Sequence, residues 1–234
     1  MSKVNLSETI ANFAFNFSNK AIPNSSVGIF KICLADWVSI LISSRDTKIS
    51  NIVLSLLEDN TQNEDSFAIR SKSYVTSRMA ALINGTISHS LDYDDTHFGY
   101  LGHPSVVVIP ASLAISDQYK LNFNQFMVAS ILGMEISCRI GMWLGRKHYR
   151  SGFHITSTAG IFGATVAVSK LLKLSKMETI NAIGISSSHS SGLKEQFGSM
   201  VKSYHVGMAS SSSIESVILA KNGFLASRSA LDGN

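Results

Sequence analysis

Charged side chains are scarce in this chain: Asp, Glu, Lys and Arg make up 15% of its 234 residues, against roughly 25% in an average soluble domain. With 45% apolar residues, that shortage excludes a disordered chain and favours extensive burial, including burial against another subunit. Cysteine is scarcer still. Cys33 and Cys138 each lie in an apolar helical pattern with no CxxC spacing, which excludes a disulfide framework and a metal knuckle and fits buried, reduced thiols in a cytoplasmic protein. The N-terminus MSKVNLSETIANFAF lacks the charged start, unbroken apolar core and small-residue cleavage site of a secretory signal. No run is expected to reach bilayer-spanning length, so no membrane partner is expected. The 20 basic residues are offset by 16 acidic ones. The densest basic stretch, Arg146, Lys147, His148 and Arg150, has no second cluster, so it reads as a solvated helix end and nucleic acid is not an expected partner.

Sustained period-2 alternation is also missing, except near 66–74, and no repeat or linker divides the chain. What is present is helical periodicity, predicting helices at about 6–19, 26–42, 75–90, 105–119, 123–145, 157–172, 176–190 and 206–222. The fold class is therefore all-α, a helical bundle over 1–234. Residues 26–42 carry two apolar stripes, one through Val27, Phe30 and Leu34 and one through Ile29, Cys33 and Trp37. Such a helix belongs in the middle of a bundle, with Ser25 or Ser26 after Pro23 as its N-cap. Ser175 with Glu178 reads as a capping box. The small-residue run from Ser157 to Lys170 reads as a central, tightly packed helix.

The densest chemistry lies between His89 and Ser105, HSLDYDDTHFGYLGHPS, which should form a polar connection between two buried helices. Four readings compete for it. Asp92, Asp94 and Asp95 with His97 and His103 have the right chemistry for a divalent metal, at a spacing that matches no strong motif. DYDDT also fits the DxDxT pattern of a phosphate-transferring aspartate, but INGTISHSL before it lacks the β-branched run of the strand required. One or two of the carboxylates should simply cap helix ends. The fourth reading is acid–base work on an anion, and two further loops support it: His154 in GRKHYRSGFHITSTAG, and Lys202 with His205 in EQFGSMVKSYHVGMASSS. Taken singly, a His or Lys at such places is more often structural.

Together these segments resemble the MmgE/PrpD family in order and spacing. The resemblance runs from the NG-to-H stretch and LDYDDT to HPS (Asn84 to Ser105), through a GxExxxRIG-like helix (Gly133 to Gly141) and the G-F-H loop (Gly152 to His154). It continues through an SGL segment (Ser187 to Leu193) to FGSMVKSYHVGMA (Phe197 to Ala209). The family includes a 2-methylcitrate dehydratase, a cis-aconitate decarboxylase and an iminodisuccinate epimerase, which work on small carboxylates with neither metal nor organic cofactor. The resemblance implies a lyase, with dehydration of a di- or tricarboxylate the leading expectation. It implies His103 as proton-transfer group, Asp92 and Thr96 beside it as catalytic groups, and His154, Lys202 and His97 as substrate-binding groups, with His205 in reserve. It further implies a homodimer. The family's second α+β domain and C-terminal return segment are not found here, ALDGN falling inside the stretch that leads to them, so a separate chain carrying that domain is a possible partner. A non-catalytic helical dimerisation or binding module stays open beside the enzyme.

Overall fold

The computed structural model describes residues 5–57, 65–71 and 74–232. Among these, nine α-helices form the architecture: α1 Leu6–Asn16, α2 Asn24–Ser43, α3 Lys48–Val53, α4 Ser77–Ser88, α5 Ser105–Gln118, α6 Phe123–Arg150, α7 Ile155–Leu171, α8 Lys176–Ser187 and α9 Val201–Lys221. The alternation near 66–74 yields only an isolated bridge between Ser66 and Val75, with 72–73 outside the described residues. Short α3 has no counterpart in the periodicity.

Helix α7 is the axis of the bundle. Every residue from Ile155 to Ser169 is buried, as its small-residue run predicts, and α5, α6, α8 and α9 pack around it. Two seams are backbone-tight. A methyl group on Gly163 of α7 would overlap the Ser137 hydroxyl and the Gly133 carbonyl of α6, and one on Gly207 of α9 would overlap the Leu82 carbonyl and the Thr86 hydroxyl of α4. Backbone on the far side cannot give way as a flexible side chain would. Gly163→Ala or Gly207→Ala should therefore cost about 3 kcal/mol in denaturant unfolding; a loss under about 1 kcal/mol would show that the seams can spread.

The capping box on α8 forms as the sequence predicts, Glu178 N donating to Ser175 Oγ at 3.3 Å and Ser175 N to Glu178 Oε2 at 2.7 Å. Four expectations need correcting. Helix α2 starts at Asn24 behind Pro23 with no side-chain cap, so Ser25 and Ser26 lie inside its first turn. It also packs at the edge of the bundle: Phe30, Trp37, Ile40 and Leu41 face the core, while Ile29 and Ile32 are 60% and 71% exposed. Periodicity reports that a helix has two apolar faces, not that both are covered. For the same reason α2 and α6 are each long and apolar enough to cross a membrane by length and composition, contrary to the expectation that no segment would be; α6 turns most of its apolar surface to the core. Fourthly, α9 begins at Val201 rather than near 206, with the Ser199 hydroxyl accepting from Val201 N at 3.2 Å just ahead of it. Lys202 and His205 thus stand on its first turns, not in a connecting loop.

The basic stretch closes α6. At Gly145 (φ 65°, ψ −175°) the chain leaves helical geometry and re-enters it, a conformation that glycine adopts without penalty. His148 beyond the kink bonds Thr158 Oγ1 at 2.8 Å and stacks on Phe153.

Candidate active site

The connection between α4 and α5 is held by a plug and a cap. Tyr100 is fully buried against Gly141, where any Cβ would overlap its ring, and its hydroxyl donates to the Thr156 carbonyl at 2.9 Å. Asp95 accepts from Ser105 N at 3.2 Å and from Ser105 Oγ at 2.6 Å, satisfying an orphan amide at the start of α5. Asp95 is thus the helix-capping carboxylate that one reading of the loop anticipated. Leu101 and Asp92 both take left-handed backbone angles (φ 59° and 57°), turning the chain sharply so that its other two carboxylates meet imidazoles.

Asp94 is the buried one. His89 Nδ1 lies 2.9 Å from its Oδ1 and 3.0 Å from its Oδ2, and His103 Nδ1 lies 3.1 Å from Oδ2 and 3.1 Å from the Asp94 carbonyl. Burial alone would raise the Asp94 carboxyl, but hydrogen bonds from His103 and His89, with their charge, hold it well below the usual carboxylate range. For His103 burial pulls the other way, and the bond and charge of Asp94 outweigh it, leaving the imidazole above its ordinary 6.5.

Asp92 is half exposed and faces the second nitrogens. Its Oδ1 is 3.5 Å from His103 Nε2 and 3.9 Å from His89 Nε2, and it accepts from the Lys202 ammonium. Lys202 lies in the first turn of α9, where the helix dipole disfavours a cation, so a facing anion is required. The ammonium also sits 5.0 Å above the Phe197 ring.

His154 joins from the α7 side. Its ring stacks on His89 at 5.8 Å, meets Phe197 edge-on at 5.0 Å, and places Nδ1 3.3 Å from His205 Nδ1. Burial, then the neighbouring imidazoles and Lys202, push His154 down to about 2. It offers a neutral hydrogen-bonding group and not the cation its loop suggested; its Nε2 is buried with no hydrogen-bond partner. His205 is lowered too, by burial and by His89. The linkage has a definite sign: below 6.5 the unfolded chain takes up a proton that folded His154 refuses. Stability from this group is therefore full above 6.5 and lost as pH falls toward the folded value. Denaturant midpoints at about pH 7.5 and 5.5 should show a larger acid-side loss for the wild type than for His154→Gln, and equal losses would remove the argument.

Asp92, His103, His154 and Lys202 are thus brought together in one cluster. Thr96 and His97 are not. They line a separate cavity of about 380 Å³ with Asp95, Cys33, Glu135 and Cys138, and the His97 ring is occupied locally, Nδ1 accepting from Tyr100 N at 3.0 Å. The chain turns at the left-handed Asp92 (φ 57°), and the bridge between His97 and Gly102 fixes the stretch beyond it. The thiols beside them are only partly buried, short of the full burial expected, and are raised to about 12, chiefly by burial, with nearby carboxylates adding to it. His89 is the residue that the sequence reading passed over; its signal was its place in the HSLDYDDT run.

Two other readings of the loop change. The segment before DYDDT is helix α4, so the strand that would present a phosphate-transferring aspartate is missing. A metal-capable set does exist among the described residues, His89, Asp92, Asp94 and His103 with donor atoms within 4.8 Å of one another, but without Asp95 and His97. An ion there would have to displace Lys202 from Asp92.

The MmgE/PrpD N-terminal domain model matches residues 8–234. The human cis-aconitate decarboxylase is 30% identical over 158 residues, covering 65% of this chain and 33% of that protein. The cis-aconitate decarboxylase of Aspergillus terreus is 29% identical over 160 residues, covering 65% and 33%, and the cis-aconitate decarboxylase-like protein oryM of Aspergillus oryzae is 28% identical over 162, covering 65% and 34%. The chain spans about a third of the length of these relatives. A match over nearly its whole length, together with an all-helical architecture among the described residues, places the chain in the MmgE/PrpD family, as its N-terminal all-α domain.

Proposed function

We propose that this chain carries the acid–base part of a lyase site for a small di- or tricarboxylate, working without an organic cofactor. The observation that carries the reading is the convergence of Lys202 Nζ, His103 Nε2 and His89 Nε2 on a single carboxylate oxygen, Asp92 Oδ1. An oxygen with that surrounding marks where a substrate carboxylate is held. Chemistry at the neighbouring carbon needs the same two things, a cation to balance the charge that develops on the carboxylate and a group that moves a proton.

The relatives named above favour decarboxylation of cis-aconitate. There the carbon–carbon bond to one carboxylate breaks, carbon dioxide leaves, and the electron pair passes into the conjugated system of the remaining carboxylates. Lys202 balances that charge, and protonated His103 hands the proton from Nε2 to carbon. The second reading, dehydration of a 2-methylcitrate-like hydroxy acid, is favoured by the family resemblance; His103 then begins neutral, takes a proton from carbon and returns it to the departing hydroxyl, which leaves as water while the electron pair of the C–H bond forms the alkene.

The two differ in the sign of their pH dependence. A reaction that starts from imidazolium is lost as pH rises through the raised value of His103, whereas one that starts from neutral imidazole is lost as pH falls through it. Purified protein incubated with each acid from about pH 6 to pH 9, followed by carbon dioxide release and alkene absorbance, tests both. Absence of turnover and of binding for either acid would leave the non-catalytic helical module. In that case replacing His103 and Lys202 together would cost folding with no ligand to lose.

A further inference from the structure

We propose that His89 is a positioning residue of this site: through the Asp94 carboxylate it holds His103 with its proton on Nδ1 and Nε2 facing the substrate position. The proposal rests on the acid–base reading above and deepens it, by naming what fixes the reactive nitrogen. Asp94 is 3% exposed, and the side-chain partners of its carboxylate among the described residues are two imidazoles, His89 and His103. His89 Nδ1 bridges both oxygens, at 2.9 and 3.0 Å, and so fixes the plane of the carboxylate. Oδ2 is then left 3.1 Å from His103 Nδ1, with the Asp94 carbonyl at the same distance. A carbonyl and an ionised carboxylate can only accept. His103 Nδ1 therefore carries the proton, and its Nε2 is the nitrogen left for the reaction.

His89 is itself built in rather than adventitious. It is the C-cap of α4 and 1% exposed. The Ser203 hydroxyl donates to its carbonyl at 3.1 Å, and its ring lies between His103, edge-on at 4.9 Å, and His154, stacked at 5.8 Å. Its Nε2 is buried with no hydrogen-bond partner, so the Asp94 contact alone orients the ring by bonding. Without a donor at position 89, Asp94 would be a buried carboxylate facing one imidazole, free to rotate or to take up a proton. Either change leaves the Asp94 carbonyl, 3.1 Å away, as the one remaining acceptor for the Nδ1 proton and weakens the preference for that tautomer.

Ring-nitrogen NMR of the ¹⁵N-histidine-labelled chain tests this directly. Wild type should show His103 protonated on Nδ1. His89→Leu, which keeps volume but removes the donor, should shift His103 towards the Nε2-protonated form, and Asp94→Asn should do the same from the other partner. His89→Gln, whose amide can still donate to Asp94, should restore the wild-type pattern. With cis-aconitate as substrate, His89→Leu should lower kcat by about 10- to 100-fold, with KM changed by less than about twofold, and His89→Gln should recover most of it. A wild-type His103 that, once neutral, keeps its proton on Nε2 and not on Nδ1 overturns the proposal, as does a His89→Leu chain with unchanged tautomer and unchanged kcat. If no carboxylate is turned over, the lyase reading fails by itself, and the ring-nitrogen spectra still decide the role of His89.

Discussion

On the decarboxylase reading proposed above, turnover of cis-aconitate should fall by about 10²- to 10⁴-fold when His103 is replaced by glutamine, while the helices melt within a few degrees of wild type. The expectation follows from what His103 does and does not hold up. Its ring bonds the Asp94 carbonyl and approaches the Asp94 carboxylate, and a glutamine amide can still donate to the carbonyl. Anchoring of the loop falls to other residues, Tyr100 on Thr156 and Asp95 on Ser105. What glutamine cannot do is exchange a proton at the position of Nε2. Steady-state rates and thermal melts on the same preparation check the point; a loss below about tenfold would mean that another group moves the proton.

Lys202→Met should lower kcat/KM by about 10²- to 10³-fold, the range for removing one preorganised group that faces developing charge. Methionine keeps the buried stem and its packing beside Phe197 and removes only the ammonium. Two losses follow. A substrate carboxylate loses its charged partner, and Asp92 is left as an unneutralised anion in the place the substrate must occupy. Affinity and rate should therefore fall together, read as a raised KM and a lowered kcat. Calorimetric titration with cis-aconitate isolates the binding part, and unchanged affinity in the variant would place the substrate elsewhere.

The sequence exposes some of this site readily and hides the rest for physical reasons. Small residues from Ser157 to Ser169 announce close helix approach because nothing else can fill a backbone-tight seam, and Ser175 with Glu178 announces a cap because both partners are three residues apart. His103, His154 and Lys202 could be assembled only through resemblance to a family, since each is an ordinary residue in its own loop. The separation of Thr96 and His97 from Asp92 follows the backbone path of the loop, which starts at a left-handed Asp92, and DYDDT does not say at which of its aspartates the chain turns. His89 escaped notice because its partner, Asp94, looks in sequence like one of three equivalent carboxylates. Burial makes Asp94 different, 3% exposed beside a half-exposed Asp92, and a run of aspartates does not say which one faces inward. The edge position of α2 was hidden in the same way, because a two-faced apolar pattern does not say which face meets a neighbour.

The glycine seams also determine how the site is lost. His89 closes α4, Lys202 and His205 open α9, and those two helices interlock at Gly207, which lies against the Leu82 carbonyl and the Thr86 hydroxyl with no room to spare. Sliding one along the other is blocked, so imidazoles and ammonium cannot drift apart by degrees as the temperature rises. They should vanish together, in one cooperative step with the melting of that helix pair, leaving no warm intermediate that is folded yet chemically blunt.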